Sequence, residues 1–185
     1  MIRFTDYLFD YHGVLSLTDH ERLIELCDSF DFPSCEYPTE SDYDLTGYRS
    51  QVLLNKDHGE IYDLIHKAMI RTMPKVYKDF GDLLPSVYDK YSGYWLCKYP
   101  EGGFLSYHSD SDGDAASLTL SFNINDDYEG GEICFWRDTY MNTCANTMHV
   151  YPSNLLYPHE VKPVKKGIRY SVISWFGYQK GLDWS

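Results

Sequence analysis

The sequence predicts a mainly β protein, a sandwich or barrel, preceded by helices in its N-terminal half. Composition is the first reason: 43% hydrophobic and 24% charged residues, with 18 Tyr and 4 Trp, an aromatic excess that suits pleated sheet better than a helical bundle. The second is texture. After Ser92 the chain breaks into short β-rich runs, GYWLCKY, FLSYHSD, SLTLSFNI, GEICFWR, TMHVYP and IRYSVISWF, separated by Gly, Asp, Asn and Pro clusters. Short strands with hairpin-like breaks point to a sandwich or barrel, whereas a parallel sheet would need helices between them. At 185 residues the chain has the size of one domain. We expect a single domain over 1–185, with a helical support region over 1–90 and a β core over 91–180.

The N-terminal elements follow from periodicity. In SLTDHERLIELCDSF, Thr18 stands three residues before Glu21, a capping-box spacing, and Leu23, Ile24, Leu26 and Cys27 follow. This predicts a helix over about 18–30. A polar stretch with Pro33, Pro38 and Gly47 comes next. Ile61, Leu64, Ile65, Ala68 and Met69 then recur at helical spacing and predict a second helix over about 57–72. Pro74 and Pro85 bracket a further helical piece. The chain has no internal repeat and no low-complexity segment.

Charge and cysteine usage exclude several classes. Sixteen basic against 28 acidic residues give a net charge of −12, which opposes the counterion release that drives nucleic-acid binding. No nucleic-acid partner is expected. Cys27, Cys35, Cys97, Cys134 and Cys144 form no CxxC pair, and the opening MIRFTDYLFDYHGVL is broken by Asp6 and Asp10, unlike a secretory signal. No apolar run approaches the roughly 20 residues of a membrane span. A soluble cytoplasmic protein with free thiols is the expectation.

The stretch LSYHSDSDGDAAS crowds His108, Asp110, Asp112 and Asp114 together. Side chains two apart on a strand share a face, so His108 and Asp110 can reach one ion if FLSYHSD is extended. The helical alternative HExxH is absent. LLYPHEV offers His159 as a third ligand. Two imidazoles and one carboxylate on one face of an octahedral ion form the triad of non-haem Fe(II) oxygenases and leave positions open for a 2-oxo acid and O2. Arg169 follows His159 across the turn-like KPVKKG, and a guanidinium fork is the strong way to hold a dicarboxylate. Arg137 and Lys165 are the alternative cations for that role. Ser171, two further along the strand, faces the same way and offers a hydroxyl.

HSD, then DYEGGEICFW, then MHVYPSNLLYPHEVKPVKKGIRYSVISWF resemble the catalytic domain of the 2-oxoglutarate/Fe(II) dioxygenases, nearest the prolyl 4-hydroxylase and lysyl hydroxylase branch. The resemblance runs from about Tyr91 to Tyr178. FDYHGVLSLTDHERLIEL also resembles the way members of that superfamily enter their first helix. The resemblance implies a double-stranded β-helix, a cupin-like distorted jelly roll, with His108, Asp110 and His159 as ligands of Fe(II). It further implies Arg169 as the 2-oxoglutarate anchor and Tyr99 as a strand residue lining the cosubstrate. Hydroxylation of a residue in a peptide or protein, most readily proline, is the implied activity, with O2 as cosubstrate and L-ascorbate supporting turnover. The lysyl branch usually carries Arg at the anchor and animal prolyl enzymes often Lys; this chain has Arg169.

The alternatives are a lysyl hydroxylase, a hydroxylase of a free amino acid or other small molecule, and a metal-binding jelly-roll sensor without turnover. A merely structural metal site has no need of a dicarboxylate anchor. DSDGD imitates a calcium loop but lacks the Gly and Glu that such a loop requires, so Asp112 and Asp114 are read as a solvated turn. FDYHGVL resembles the DxDGVL of haloacid-dehalogenase phosphatases, but His12 replaces the second aspartate and no parallel α/β pattern follows. His149 is the reserve ligand should His159 fail. His12, His20, His58 and His66 have no carboxylate at metal spacing and receive no role. Gly130 and Gly131 read as a hairpin turn needing positive φ, and Trp175 and Phe176 as core.

Overall fold

The structure, a computed structural model, describes residues 3–35, 47–81, 93–110 and 118–176. Pro38, Pro85, Tyr91, Asp112, Asp114 and Tyr178, and the expectations attached to them, lie outside the described residues. In chain order the elements are β1 (Phe9–His12), α1 (Leu17–Ser29), β2 (Gly47–Tyr48), β3 (Ser50–Leu54), α2 (Glu60–Phe80), β4 (Tyr94–Tyr99), β5 (Phe104–His108), β6 (Leu118–Asn123), β7 (Glu129–Gly130), β8 (Ile133–Phe135), β9 (Thr139–Tyr140), β10 (Thr147–Pro152), β11 (His159–Val161), β12 (Val164–Lys166) and β13 (Arg169–Phe176).

Both helices form where periodicity placed them, with shifted ends. The N-cap of α1 is Ser16, whose hydroxyl accepts from the Asp19 amide at 3.2 Å; Thr18 lies inside the helix, so the Thr18–Glu21 spacing is not the cap. Leu23 and Cys27, one turn apart, are the buried stripe. Helix α2 runs through Pro74 to Phe80 instead of ending near 72. Proline inside a helix costs about 3 kcal/mol, but Thr72, Met73, Val76 and Phe80 continue the buried face beyond it. Burying each large apolar side chain stabilises by about 1.5–3 kcal/mol, so the packing wins. Among the described residues, no helix is long and apolar enough to cross a membrane.

One sheet has the order β1-β10-β6-β13-β4-β3 and the other β2-β5-β11-β8-β9, with a small β12-β7 ribbon beside them. Successive strands β4, β5, β6, β8, β10, β11 and β13 alternate between the two large sheets, which is the winding of a double-stranded β-helix. The N-terminal region is not only helical support: β1, β2 and β3 complete both sheets. Their runs are too short to carry a strong alternation signal, and their pairing is settled by distant strands, as when β1 docks on β10.

Strand alternation divides the six-stranded sheet into two unlike faces. Leu120, Phe122, Met148, Val150, Tyr170, Val172 and Phe176 join Leu23, Ile65 and Met69 in one apolar core under the helices. The alternate residues Thr119, Ser121, Asn123, Thr147, His149, Arg169 and Ser171 are equally buried but polar, and they face the other sheet. Phe176 thus sits in the expected core, while Trp175 points to the polar side and is only partly buried. All five cysteines are free.

Ile65, with no exposure, joins α2 to this core. Ile65→Ala should lower unfolding stability by about 2–5 kcal/mol, read as a fall in the urea midpoint with an unchanged slope.

Candidate active site

The site begins with an irregularity in the five-stranded sheet. His159 pairs with His108, but Val161 pairs with Leu105, so the register between β11 and β5 shifts through a bulge. A bulge of this kind re-aims side chains. Leu105 and His108 would otherwise lie on opposite faces of β5; here Leu105 joins the inter-sheet core while His108 meets His159, with ring centroids 4.4 Å apart. Asp110 is not a strand residue, since β5 ends at His108. The expected same-face argument for His108 and Asp110 therefore gives way to a bend that returns the carboxylate beside the imidazole.

His108 Nε2 lies 3.3 Å from Asp110 Oδ1 and His159 Nε2 lies 3.7 Å from Asp110 Oδ2. One ligand atom from each of the three residues falls within 4.8 Å of the others. The imidazole tautomers are fixed from behind. His108 Nδ1 donates to the Ser106 carbonyl at 2.7 Å and His159 Nδ1 donates to the Tyr157 carbonyl at 3.1 Å. A carbonyl only accepts, so both Nδ1 atoms carry hydrogen and both Nε2 atoms turn lone pairs toward Asp110. Acceptors facing one another in a buried place repel unless a cation stands between them. The donor set, two neutral imidazoles and a carboxylate with open positions left over, fits Fe(II).

Electrostatics agree with that fit. Burial pulls the His159 imidazole below its ordinary pKa against the opposing pull of Asp110, which keeps the neutral form a metal requires. Burial works against the charge of Asp110, but the neighbouring imidazoles of His108 and His159 and the Thr119 hydroxyl hold its carboxyl below the usual range. Thr119 Oγ1 donates to Asp110 Oδ2 at 2.6 Å and is itself 2.9 Å from Ser153 Oγ. The Tyr151 hydroxyl reaches His159 Nε2 at 3.2 Å.

Arg169 is 2% exposed at the start of β13, directly opposite Tyr99 on β4. Its Nη1 donates to Ser171 Oγ at 3.2 Å, and its guanidinium carbon lies 5.1 Å from the Tyr99 ring centre. Nε has no partner, and among the described residues no carboxylate pairs with this cation. A buried charge without a counter-ion is costly, so this is a place made for an anion. Burial pushes the Tyr99 phenol up to about 12, which keeps it a neutral donor. Gly131 has φ +68, and a Cβ there would stand 3.0 Å from Arg169 Cδ. The pair that reads as a plain turn also clears room for the arginine. Arg137 and Lys165 are exposed.

His149 is not a ligand in reserve. It bonds Asp10 at 2.7 Å and stands outside the His108, Asp110 and His159 group. His12 lies on β1 with Nδ1 2.9 Å from Thr147 Oγ1. His20 Nε2 meets the Ile124 carbonyl at 2.6 Å and His66 Nδ1 the Tyr94 hydroxyl at 2.6 Å. Sequence reasoning missed Thr119, Ser153, Tyr151 and Gly131. The signal for Thr119 was present in SLTLSFNI, where a polar residue recurs at every second position of a fully buried strand.

Comparison with known proteins gives the following. Residues 94–177 match the 2OG-Fe(II) oxygenase superfamily. A PKHD-type hydroxylase of Prochlorococcus marinus (strain NATL2A) is 39% identical over 62 residues, which span 32% of this chain and 27% of that relative. A prolyl-4-hydroxylase of Pseudomonas putida superposes with TM-score 0.70 at 16% identity, covering 95% of this chain and 94% of that one. The viral collagen prolyl hydroxylase of Paramecium Bursaria Chlorella virus-1, solved with 2OG, has TM-score 0.69 at 18% identity and covers 95% and 97%. A Trichoplax adhaerens prolyl hydroxylase, in complex with a peptide fragment of the hypoxia inducible factor oxygen degradation domain, has TM-score 0.69 at 15% identity and covers 93% and 84%. The structural likenesses establish the shared fold.

Thr119→Val keeps the shape and removes the donor to Asp110. It should weaken Mn(II) or Fe(II) binding about 10–100-fold by calorimetry, with Asp110→Ala as the control that loses binding altogether.

Proposed function

With residues 94–177 matching the 2OG-Fe(II) oxygenase superfamily, we propose that this protein is a 2-oxoglutarate-dependent hydroxylase of a residue in a peptide or protein, most simply proline. His108, Asp110 and His159 hold Fe(II); Arg169, with Ser171 and Tyr99, holds the distal carboxylate of 2-oxoglutarate. The observation that carries the reading is the buried Arg169, which among the described residues has no carboxylate partner and faces the same inter-sheet space as the triad. A sensor module that only binds metal would have no use for it.

Bound Fe(II), with 2-oxoglutarate and O2, supplies the oxidising chemistry, in which the cosubstrate yields succinate and CO2 and a C–H bond gains a hydroxyl. The chain's own part is binding and geometry. His108 and His159 present Nε2 in fixed tautomers, and Asp110 brings the charge that Thr119 steadies. Arg169 orients the cosubstrate from the opposite end, where the apolar residues Tyr99, Leu105, Val161 and Val164 keep water out.

A peptide substrate is supported by the Trichoplax adhaerens relative, whose complex contains a peptide fragment, and by the prolyl hydroxylases among the structural neighbours. Lysyl residues and free amino acids are the competing substrates. We also read 1–185 as one domain, because strands from both halves of the chain complete the same two sheets.

Succinate release and the mass gain of one oxygen atom, followed over proline-rich and lysine-rich peptides, test the reaction. Modification of free proline or lysine with every peptide untouched would overturn the peptide reading. Arg169→Ala should raise the 2-oxoglutarate requirement roughly thirtyfold or more, since truncating one side of a buried charged pair costs about 2–5 kcal/mol. Metal binding should survive that change.

A further inference from the structure

The polar face of the six-stranded sheet carries a second pair, a buried histidine held by an aspartate at the sheet edge, that the function proposed above does not use. His149 on β10 stands directly opposite Asp10 on β1, and Nδ1 and Oδ1 meet at 2.7 Å. The His149 side chain is 2% exposed and that of Asp10 26%. A carboxylate oxygen only accepts, so Nδ1 carries the hydrogen, and Nε2 is left as the free atom on the other side of the ring.

Strand register says what lies beside it. Thr119 pairs with Tyr151 and Trp175; one step on, Ser121 pairs with His149 and Ile173; one step further, Asn123 pairs with Thr147 and Ser171. Thr119 and Tyr151 bond Asp110 and His159, while Arg169 follows just beyond Ser171 on β13. His149 and Ser121 therefore occupy a level between the triad and the anchor, one step before the Asn123 and Ser171 level that leads to Arg169. That level also holds an orphan: the Ser121 hydroxyl is fully buried and has no partner, as is true of Arg169 Nε.

We propose that His149, oriented by Asp10, is a cosubstrate-positioning residue between the triad and Arg169, and that a dicarboxylate binding there draws a proton from solvent onto His149 Nε2. The inference rests on the assignment of 2-oxoglutarate to this space. Among the described residues, the charged and titratable groups around His149 are Asp10 and His12 from β1, Arg169 from β13 and the Tyr151 phenol two residues along its own strand; β6 contributes the uncharged Ser121 and Asn123. Burial disfavours the imidazolium, Asp10 favours it, and Arg169 and His12 oppose it, so His149 titrates below its ordinary value. A dicarboxylate beside Arg169 cancels that opposing charge and adds its own attraction. The balance then turns toward the protonated ring, whose Nε2–H donates to the ligand while Nδ1–H stays on Asp10. Uptake is largest between the lowered and raised titration points, and it fades toward acid, where the ring is already charged.

The test is calorimetric titration of 2-oxoglutarate into the full chain loaded with Mn(II), which holds the ligands without turnover, in buffers of different ionisation enthalpy between pH 6 and 8. Wild type should take up a measurable fraction of a proton per ligand bound. His149→Gln, whose amide can still donate to Asp10, should lose the uptake and bind roughly tenfold more weakly, with Mn(II) affinity and circular dichroism unchanged. Asp10→Asn should also cut the uptake, and it decides the matter if the glutamine variant does not fold. Binding by wild type with no net proton exchange overturns the inference, as does undiminished uptake in the folded variants. Loss of binding in Arg169→Ala alongside an indifferent His149→Gln removes this inference and leaves the assigned function standing. Failure of wild type to bind 2-oxoglutarate at all removes both.

Discussion

Everything at this site depends on a set of acceptors forced to face one another. His108 and His159 each spend Nδ1 on a backbone carbonyl, which leaves lone pairs on Nε2, and Asp110 brings more within 3.3 and 3.7 Å. Tyr151 and Thr119 each bring one hydroxyl donor to this group, and the lone pairs that remain fit a divalent cation. The fold meets the geometric demand through the bulge between β5 and β11, since regular pairing would leave Leu105 and His108 on opposite faces.

The same logic extends over the polar side of the six-stranded sheet. Its central strands are buried on both faces, which usually selects apolar residues throughout. Here one face is apolar under α1 and α2 and the other carries Thr119, Ser121, Asn123, His149, Arg169 and Ser171. Much of that polarity is satisfied internally: Thr119 on Asp110, Asn123 on the Asn125 and Thr143 carbonyls, His149 on Asp10. What is left over, the Arg169 Nε and the Ser121 hydroxyl, marks where a polar ligand belongs. Stability and function thus divide between the faces of one sheet. The helix side supplies hydrophobic burial, and the inner side holds charge that only a ligand completes.

Much of this was visible in the amino-acid order, for physical reasons that can be named. Local signals are strong where a repeat is long: the buried stripe of α2 from Ile61 to Met69, and the β-rich runs that became β4, β6, β10 and β13. They are weak where an element has only a few residues and takes its shape from a distant partner, as with β1, β3 and β11. Pro74 misled in the usual way, because its cost is local and the packing that outweighs it lies further along the helix.

The sequence by itself determined the chemistry on offer: a His, an Asp and a second His followed by an Arg, on a chain whose second half could only be short strands. It determined the type of ligand atoms and the presence of a cation, Arg169, ten residues after the second His. Tertiary structure alone decided which atoms meet. The bulge that aims His108, the space Gly131 leaves for Arg169 and the Asp10 that turns His149 are contacts between elements far apart in the chain, and the Thr119 hydroxyl that steadies Asp110 reaches it across nine residues. Each depends on strand register, and register is fixed by the summed burial of whole faces, which no local stretch of residues encodes.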